Sequence, residues 1–130
     1  MADTKITAAI NAVTKLLSEK ANVKITPPPL TKDGGVAIYP EGGGTESITL
    51  SRTHARCFAN VTIECKASAA ETAFENAARL SECVSQPDFA NFRAENSVQI
   101  LGVKVLSSPR LVSRTDDWIY AIQLRINYFY

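Results

Sequence analysis

The sequence predicts an α+β fold: one mainly antiparallel sheet with two helices packed on one face. Three observations carry this. Residues 3–17 and 68–84 repeat apolar side chains at the three-and-four spacing of a helix. Residues 53–67 and 118–130 alternate with the period of a strand. The helical and extended stretches interleave along the chain, the pattern of an α+β domain. At 130 residues the chain is sized for one domain, expected over 1–130 with an irregular loop region at about 21–47. A domain of this size buries roughly two thirds of its unfolded surface and needs neither disulfide nor metal to fold.

The first helix rests on Ile6, Ala9, Ile10, Val13, Leu16 and Leu17, one apolar stripe that must be buried. Asp3 or Thr4 can cap its first turn, and Lys15 and Lys20 suit its C-terminal end. From residue 21 to 47 the chain turns rich in proline and glycine, with "TPPPL", "KDGG" and "YPEGGGTES". Pro27 to Pro29 should be stiff and polyproline-like, and only "VAIY" and "VKI" read as short strands. A stretch of this kind inside a compact domain is usually functional or disordered.

In the strand over 53–67, Cys57, Ala59, Val61, Ile63 and Cys65 point to the core, and Phe58, Asn60, Thr62, Glu64 and Lys66 to the other face. "SAAE" at 68–71 reads as a capping box, with Ser68 and Glu71 satisfying each other's backbone amides. The helix it opens turns Ala70, Phe74, Ala77, Leu80, Ser81 and Val84 inward, its alanines allow close packing on a sheet, and Pro87 ends it. Two strands follow, 98–113 and 118–130, with Gly102 and Pro109 as bulge or bend sites and "RTDD" as the turn between them, an antiparallel hairpin.

Composition narrows the function. A net charge of +1 argues against a dominant nucleic-acid surface. No apolar run approaches the ~18 residues of a membrane span. The first residues lack the apolar core of a signal peptide, so a cytoplasmic site of synthesis is expected. The three cysteines are an odd number with no CxxC, poor material for a disulfide framework or a structural zinc site. Cys57 and Cys65 would lie roughly 26 Å apart in one strand, beyond disulfide reach.

No catalytic residue, cofactor site or metal site is assigned. His54 and Cys57 fall on opposite faces of a strand, which disfavours a nucleophile pair; Cys83 stays open as a partner for His54. "EGGGTES" lacks the spacing and the lysine of a phosphate loop. It precedes an extended stretch rather than a helix N-terminus and reads as a flexible loop tip. Asp116 and Asp117 read as turn formers. Arg110, Arg114 and Arg125 could cluster on the final hairpin, as a phosphate patch or, more in keeping with the charge, as a solvated or subunit-pairing face.

The run "WIYAIQLRINYFY" at 118–130 remains unusual. Trp118, Tyr120, Ile122, Leu124, Ile126, Tyr128 and Tyr130 share one apolar face. The other face is mixed, with Arg125 and Phe129 on it. A strand roughly twice the ~5–6 residue mean either overhangs its sheet, where an exposed edge needs a cover, or is a central strand wholly explained by its own domain.

Taken in order, "VTKLLSEK", "ITPPPLTKDGGVAIYPEGGG", "NVTIECKASAAETAFENAARL" and "ILGVKVLSSPRLVSRTDDWIYAIQLRINYFY" resemble the tail terminator, or minor capsid, proteins of long-tailed bacteriophages. The resemblance spans nearly the full length and is one of order, length and character. It implies a sheet flanked by two helices and no catalysis. It also implies a homo-oligomeric ring, a hexamer, at the head-proximal end of the tail tube. The ring stops tube polymerisation, meets the tail tube protein on one surface and a head-completion or connector protein on the other, and passes DNA through its lumen without sequence-specific binding. The protein would be assembled in the host cytoplasm and reside in the virion, with no cofactor and no membrane partner. Candidate interface residues are Tyr39, Pro40, Glu41, Gly42, Gly43, Gly44 and Thr45 in the loop region, and Arg125, Phe129 and Tyr130 at the end of the last strand. Shortening the glycine run is expected to spoil assembly and leave folding intact. The alternatives are another head–tail connector or completion protein, or a small ligand-binding α+β domain.

Overall fold

The computed structural model describes residues 4–26, 34–48, 54–114 and 117–130. Helix α1 (Lys5–Ala21) is followed by strands β1 (Ile25–Thr26), β2 (Gly35–Ile48) and β3 (Ala55–Ala67) and helix α2 (Ala70–Cys83). A 3-10 turn (Pro87–Phe89) then leads to β4 (Phe92–Arg93), β5 (Gln99–Arg114) and β6 (Trp118–Phe129). The strands form one sheet in the order β1-β2-β3-β6-β5-β4. All neighbours are antiparallel except β1 and β2. The predicted α+β class is the observed one.

Helix α1 starts where Thr4 accepts a hydrogen bond from the Thr7 amide at 3.2 Å. It runs four residues past the expected end, because Ala21 continues the buried series Ala9, Val13 and Leu17. Asn22 then stops it in the left-handed region at φ 54°, its amide donating to the Ser18 carbonyl. Asp3, the other expected cap, lies outside the described residues, as do Pro27 to Pro29 and Asp116.

Helix α2 departs from its predicted start and keeps half of its predicted stripe: Ala77, Leu80 and Val84 are inward as expected, whereas Ala70, Phe74 and Ser81 are not buried. Its N-cap is Ala69 and no side chain caps it, so the "SAAE" box does not form. Ser68 sits one residue too early to reach the first free amides. The buried stripe is Ala73, Ala77, Leu80 and Val84. Alanine occupies the closest approach to the sheet, and Phe74 lies at the margin, 46% exposed, edge-on to Tyr120 with ring centroids 5.3 Å apart.

Both helices cover the sheet face made by Cys57, Ala59, Val61, Ile63 and Cys65 of β3 and Ile122, Leu124, Ile126 and Tyr128 of β6, which with the helix stripes form one core. The parity read for both strands is the observed one. Among the described residues the opposite face carries no helix, and it exposes Phe58, Asn60, Gln123, Arg125 and Asn127 in part.

One expectation is overturned and one choice is settled. First, residues 40–47 are not loop: the expected strand at Val36–Tyr39 continues through Pro40 and the three glycines, and β2 pairs with β3 from Gly35↔Lys66 to Ile48↔Ala55. The long ladder offered by β3 outweighs the weak strand propensity of proline and glycine. Register shifts at Pro40/Gly42 and Thr45/Ser47 take up Glu41 and Glu46 as extra residues. Second, β6 is neither an edge nor an overhang, and of the two readings open for it the central strand is the observed one. It lies in the middle of the sheet and pairs with β3 from Arg56↔Phe129 to Ala67↔Trp118. Even Tyr130 exchanges two backbone hydrogen bonds with Ala55, at 3.0 and 3.1 Å. The hairpin of β5 and β6 forms as expected, and register shifts fall beside Gly102 and Pro109.

Candidate functional site

The candidate interface residues gather at the β2 side of the sheet. Tyr39, Pro40, Glu41, Gly42, Gly43, Gly44 and Thr45 form the middle of β2, and all but the half-buried Tyr39 are exposed. β1 covers the outer edge of β2 only at Val36 and Ala37, so beyond these the outer edge pairs with no other described strand.

Gly43 is where helix α1 passes closest. A Cβ there would stand 2.5 Å from the Phe58 carbonyl oxygen and 2.7 Å from Ile6 Cδ1. Gly43→Ala is therefore expected to cost about 1–3 kcal/mol in urea unfolding, because the near atom on one side is backbone. Gly42→Ala, whose Cβ would meet nothing within 4 Å, is the control expected to stay within about 0.5 kcal/mol. Equal stabilities would mean that α1 does not seat on β2 at this point. Shortening the glycine run now predicts a changed strand register as well, since a one-residue slip turns the following side chains to the other face.

Gly43, Gly44, Thr45 and Tyr130 line one shallow depression together with Thr4 and Lys5. The Lys5 ammonium lies 5.3 Å from the centre of the Tyr130 ring. Arg125 is placed otherwise. Its guanidinium lies 4.0 Å above the Phe58 ring on the open face and bonds Glu46 at 2.6 Å. The bulge at Thr45/Ser47 supplies Glu46, which reaches past β3 to close that contact. Both side chains are about a third exposed, 33% and 35%, so the ion pair is worth only ~0.2–1 kcal/mol and chiefly orients Arg125. Phe129 stacks on His54 at 5.8 Å. The structure thus joins Tyr130 to the glycine run and holds Arg125 and Phe129 within their own sheet.

Asn60 Oδ1 and Thr62 Oγ1, on the open face, are buried without a hydrogen-bond partner among the described residues. Sequence reasoning missed Glu46 as the partner of Arg125. Its only signal was an acid beside a serine in a turn-rich stretch.

Cys57 and Cys65 are buried and unpaired, and Cys83 is half-buried. Among the described residues no three His, Cys, Asp or Glu side chains come together as a metal site would require. Burial pushes the Cys65 thiol up from 9.0 to about 12. Burial, then Cys57 and Tyr130, push the Tyr128 hydroxyl up from 10.0 to about 12. In both groups the unfolded chain loses its proton first. Stability is therefore full below about pH 9 and falls as pH rises toward 12, by up to about 1.4 kcal/mol per pH unit for each group. The urea midpoint is expected to decline from about pH 9 upward, and to decline less steeply in Cys65→Ala. A wild-type midpoint that is flat across this window would show Cys65 and Tyr128 to be solvated.

No helix among the described residues is long and apolar enough to cross a membrane. No protein-family model matches the chain. No curated protein matches it either. Among solved structures, the fold matches a chain of "Virion of native gene transfer agent (GTA) particle" with a TM-score of 0.63, 19% sequence identity, and coverage of 95% of this chain and 93% of that one. The likeness is one of fold. It extends over nearly the whole of both chains, so the sheet and both helices belong to it.

Proposed function

We propose that this protein is a structural component of a phage-type virion, and within it the tail terminator: a ring of identical copies, a hexamer, that caps the tail tube, ends its polymerisation and presents a docking surface to the head. The observation that carries this reading is the nearly full-length fold likeness to a chain of a gene transfer agent virion. The resemblance in sequence order to tail terminators points the same way. In this reading residues 1–130 act as a single terminator-like domain, and the work is binding, not catalysis.

The layer structure suits a ring. Helices stacked on one sheet face need the larger circumference, so they take the outside, and the open face turns to the lumen. That face offers the neutral amides of Asn60, Gln123 and Asn127, carries Arg125 neutralised by Glu46, and also exposes Arg56, Lys104 and Arg110. The partners are further copies of this chain, the tail tube protein and a head-completion protein, and the location is the head-proximal end of the tail.

The test is removal of the gene followed by electron microscopy of the particles. Tubes of uncontrolled length and no joined heads are expected. Tubes of normal length that fail to join heads would instead assign the protein to a neighbouring connector. Normal joined particles would remove it from the junction altogether.

A further inference from the structure

We infer that neighbouring copies join by antiparallel pairing of the outer edge of β2 in one copy with the outer edge of β5 in the next, with Glu41 of the first copy facing Lys104 of the second. This rests on the ring reading above and names the contact that closes it.

The sheet ends in two long strands that, among the described residues, are covered only at opposite tips. β1 covers β2 at Val36 and Ala37, and β4 covers β5 at Gln99 and Ile100. Following the registers across the sheet, Val36 is level with Cys65, Tyr120 and Leu111, whereas Gln99 is level with Phe129 and Arg56. The covers therefore leave a shared window. It runs from Tyr39, level with Thr62, Gln123 and Ser107, to Gly44, level with Phe58, Asn127 and Gly102. The window is roughly 20 Å of strand, long enough for a ladder of hydrogen bonds that is interrupted at Pro40, which has no N–H, and at the bulges of Glu41 and Leu106.

Direction, charge and shape then select the pairing. β2 runs opposite to β3, β3 to β6 and β6 to β5, so β2 and β5 run in opposite senses. A second copy placed beside the first without inversion sets its β2 antiparallel to β5 and continues the alternation of the sheet. This is a head-to-tail contact of two different surfaces, the kind that closes into a ring. The only charged side chains of β2 are Glu41 and Glu46, and the only ones of β5 are Lys104, Arg110 and Arg114. Pairing β2 with β5 opposes unlike charges, whereas a two-fold β5–β5 or β2–β2 pairing would oppose like ones.

Glu46 is already engaged by Arg125. Glu41 is exposed in the bulge between Pro40 and Gly42, and Gly42 is level with Asn60, Arg125 and Lys104. Placed side by side at equal height, the two copies bring Glu41 and Lys104 together. Gly42, where a Cβ would meet nothing, leaves room for a second backbone to approach. Closure of the ring removes both free edges, as a barrel does, and so protects strands that would otherwise aggregate.

Charge reversal with native mass spectrometry tests this, with thermal melting to confirm that each variant folds. Glu41→Lys and Lys104→Glu alone are expected to reduce ring formation tenfold or more at unchanged melting temperature, and the double variant to restore most of it. Wild-type rings together with single variants that assemble normally would overturn the edge pairing, leave the ring reading standing and reduce Lys104 to a guard against edge aggregation. Folded single variants that fail without rescue in the double, or a wild-type dimer in place of a ring, would also overturn it. A wild type that stays monomeric both free and with tail tubes would overturn the ring reading and the edge pairing together.

Discussion

Leu124→Ala is expected to lower the free energy of unfolding by about 3–5 kcal/mol, the upper part of the range for a leucine that cannot be replaced by collapse of its surroundings. Leu124 is fully buried and sits in the central strand, level with Val61 on one side and Val105 on the other. Both flanking strands continue well past this point, so neither can move into the space without breaking its ladder to β6. Helix α2 packs on β6 and β3 from above, with Ala73 and Ala77 already at closest approach. Most of the hole would therefore persist, and its cost adds to the lost transfer energy. Leu106→Ala is the control. Leu106 is 47% exposed and is the extra residue of a bulge in β5, so its truncation is expected to stay within about 1 kcal/mol. Urea unfolding of the two variants measures the contrast. A loss under about 1 kcal/mol at Leu124 would mean that the helices do not cover this face of the sheet.

The contrast also shows what was legible in the sequence. Leu124 could be placed in the core because β6 buries one face, and a half-buried strand writes that asymmetry as alternation. Cys57 through Cys65 on β3 were legible for the same reason. β2 was not, because its outer half is exposed and nothing imposes alternation on it. Its strand conformation comes from the β3 ladder, a long-range partner that Pro40 and three glycines conceal. Residues 39–45 therefore stood out as unusual, yet as a loop rather than as a strand edge.

In α2 the stripe was legible at Ala77, Leu80 and Val84, and the telling difference lies at Phe74. A large aromatic ranks as more apolar than alanine, so Phe74 was assigned inward. Where a helix presses against a sheet the available distance selects alanine, and Ala73 and Ala77 take that line while Phe74 closes the margin over Tyr120. The length of β6 left overhang and central strand both open because strand length says nothing about the length of the neighbours. β3 matches β6 residue for residue, which makes it a paired centre.

Removal of residues 129–130 is expected to cost about 3 kcal/mol of stability, a sum of contacts within the sheet itself. Two backbone hydrogen bonds between Tyr130 and Ala55 are lost, at about 1 kcal/mol each. The stack of Phe129 on His54 goes with them, as does the Lys5 ammonium contact with the Tyr130 ring, which ties α1 to the end of the sheet. Arg56, opposite Phe129, then faces an empty register position, so the first turn of β3 should fray and expose Cys57. Melting of the shortened chain and alkylation of Cys57 read the two effects separately, and native mass spectrometry reads assembly. On the edge-pairing geometry the contact between copies lies along the outer backbone edges of residues 39–44 and 102–107, which Phe129 and Tyr130 do not form, so rings should still form below the lowered melting temperature. An unchanged melting temperature with assembly abolished would reverse the assignment. It would make Phe129, 37% exposed in the single chain, a contact between copies and would move the interface from the strand edge to the end of the sheet.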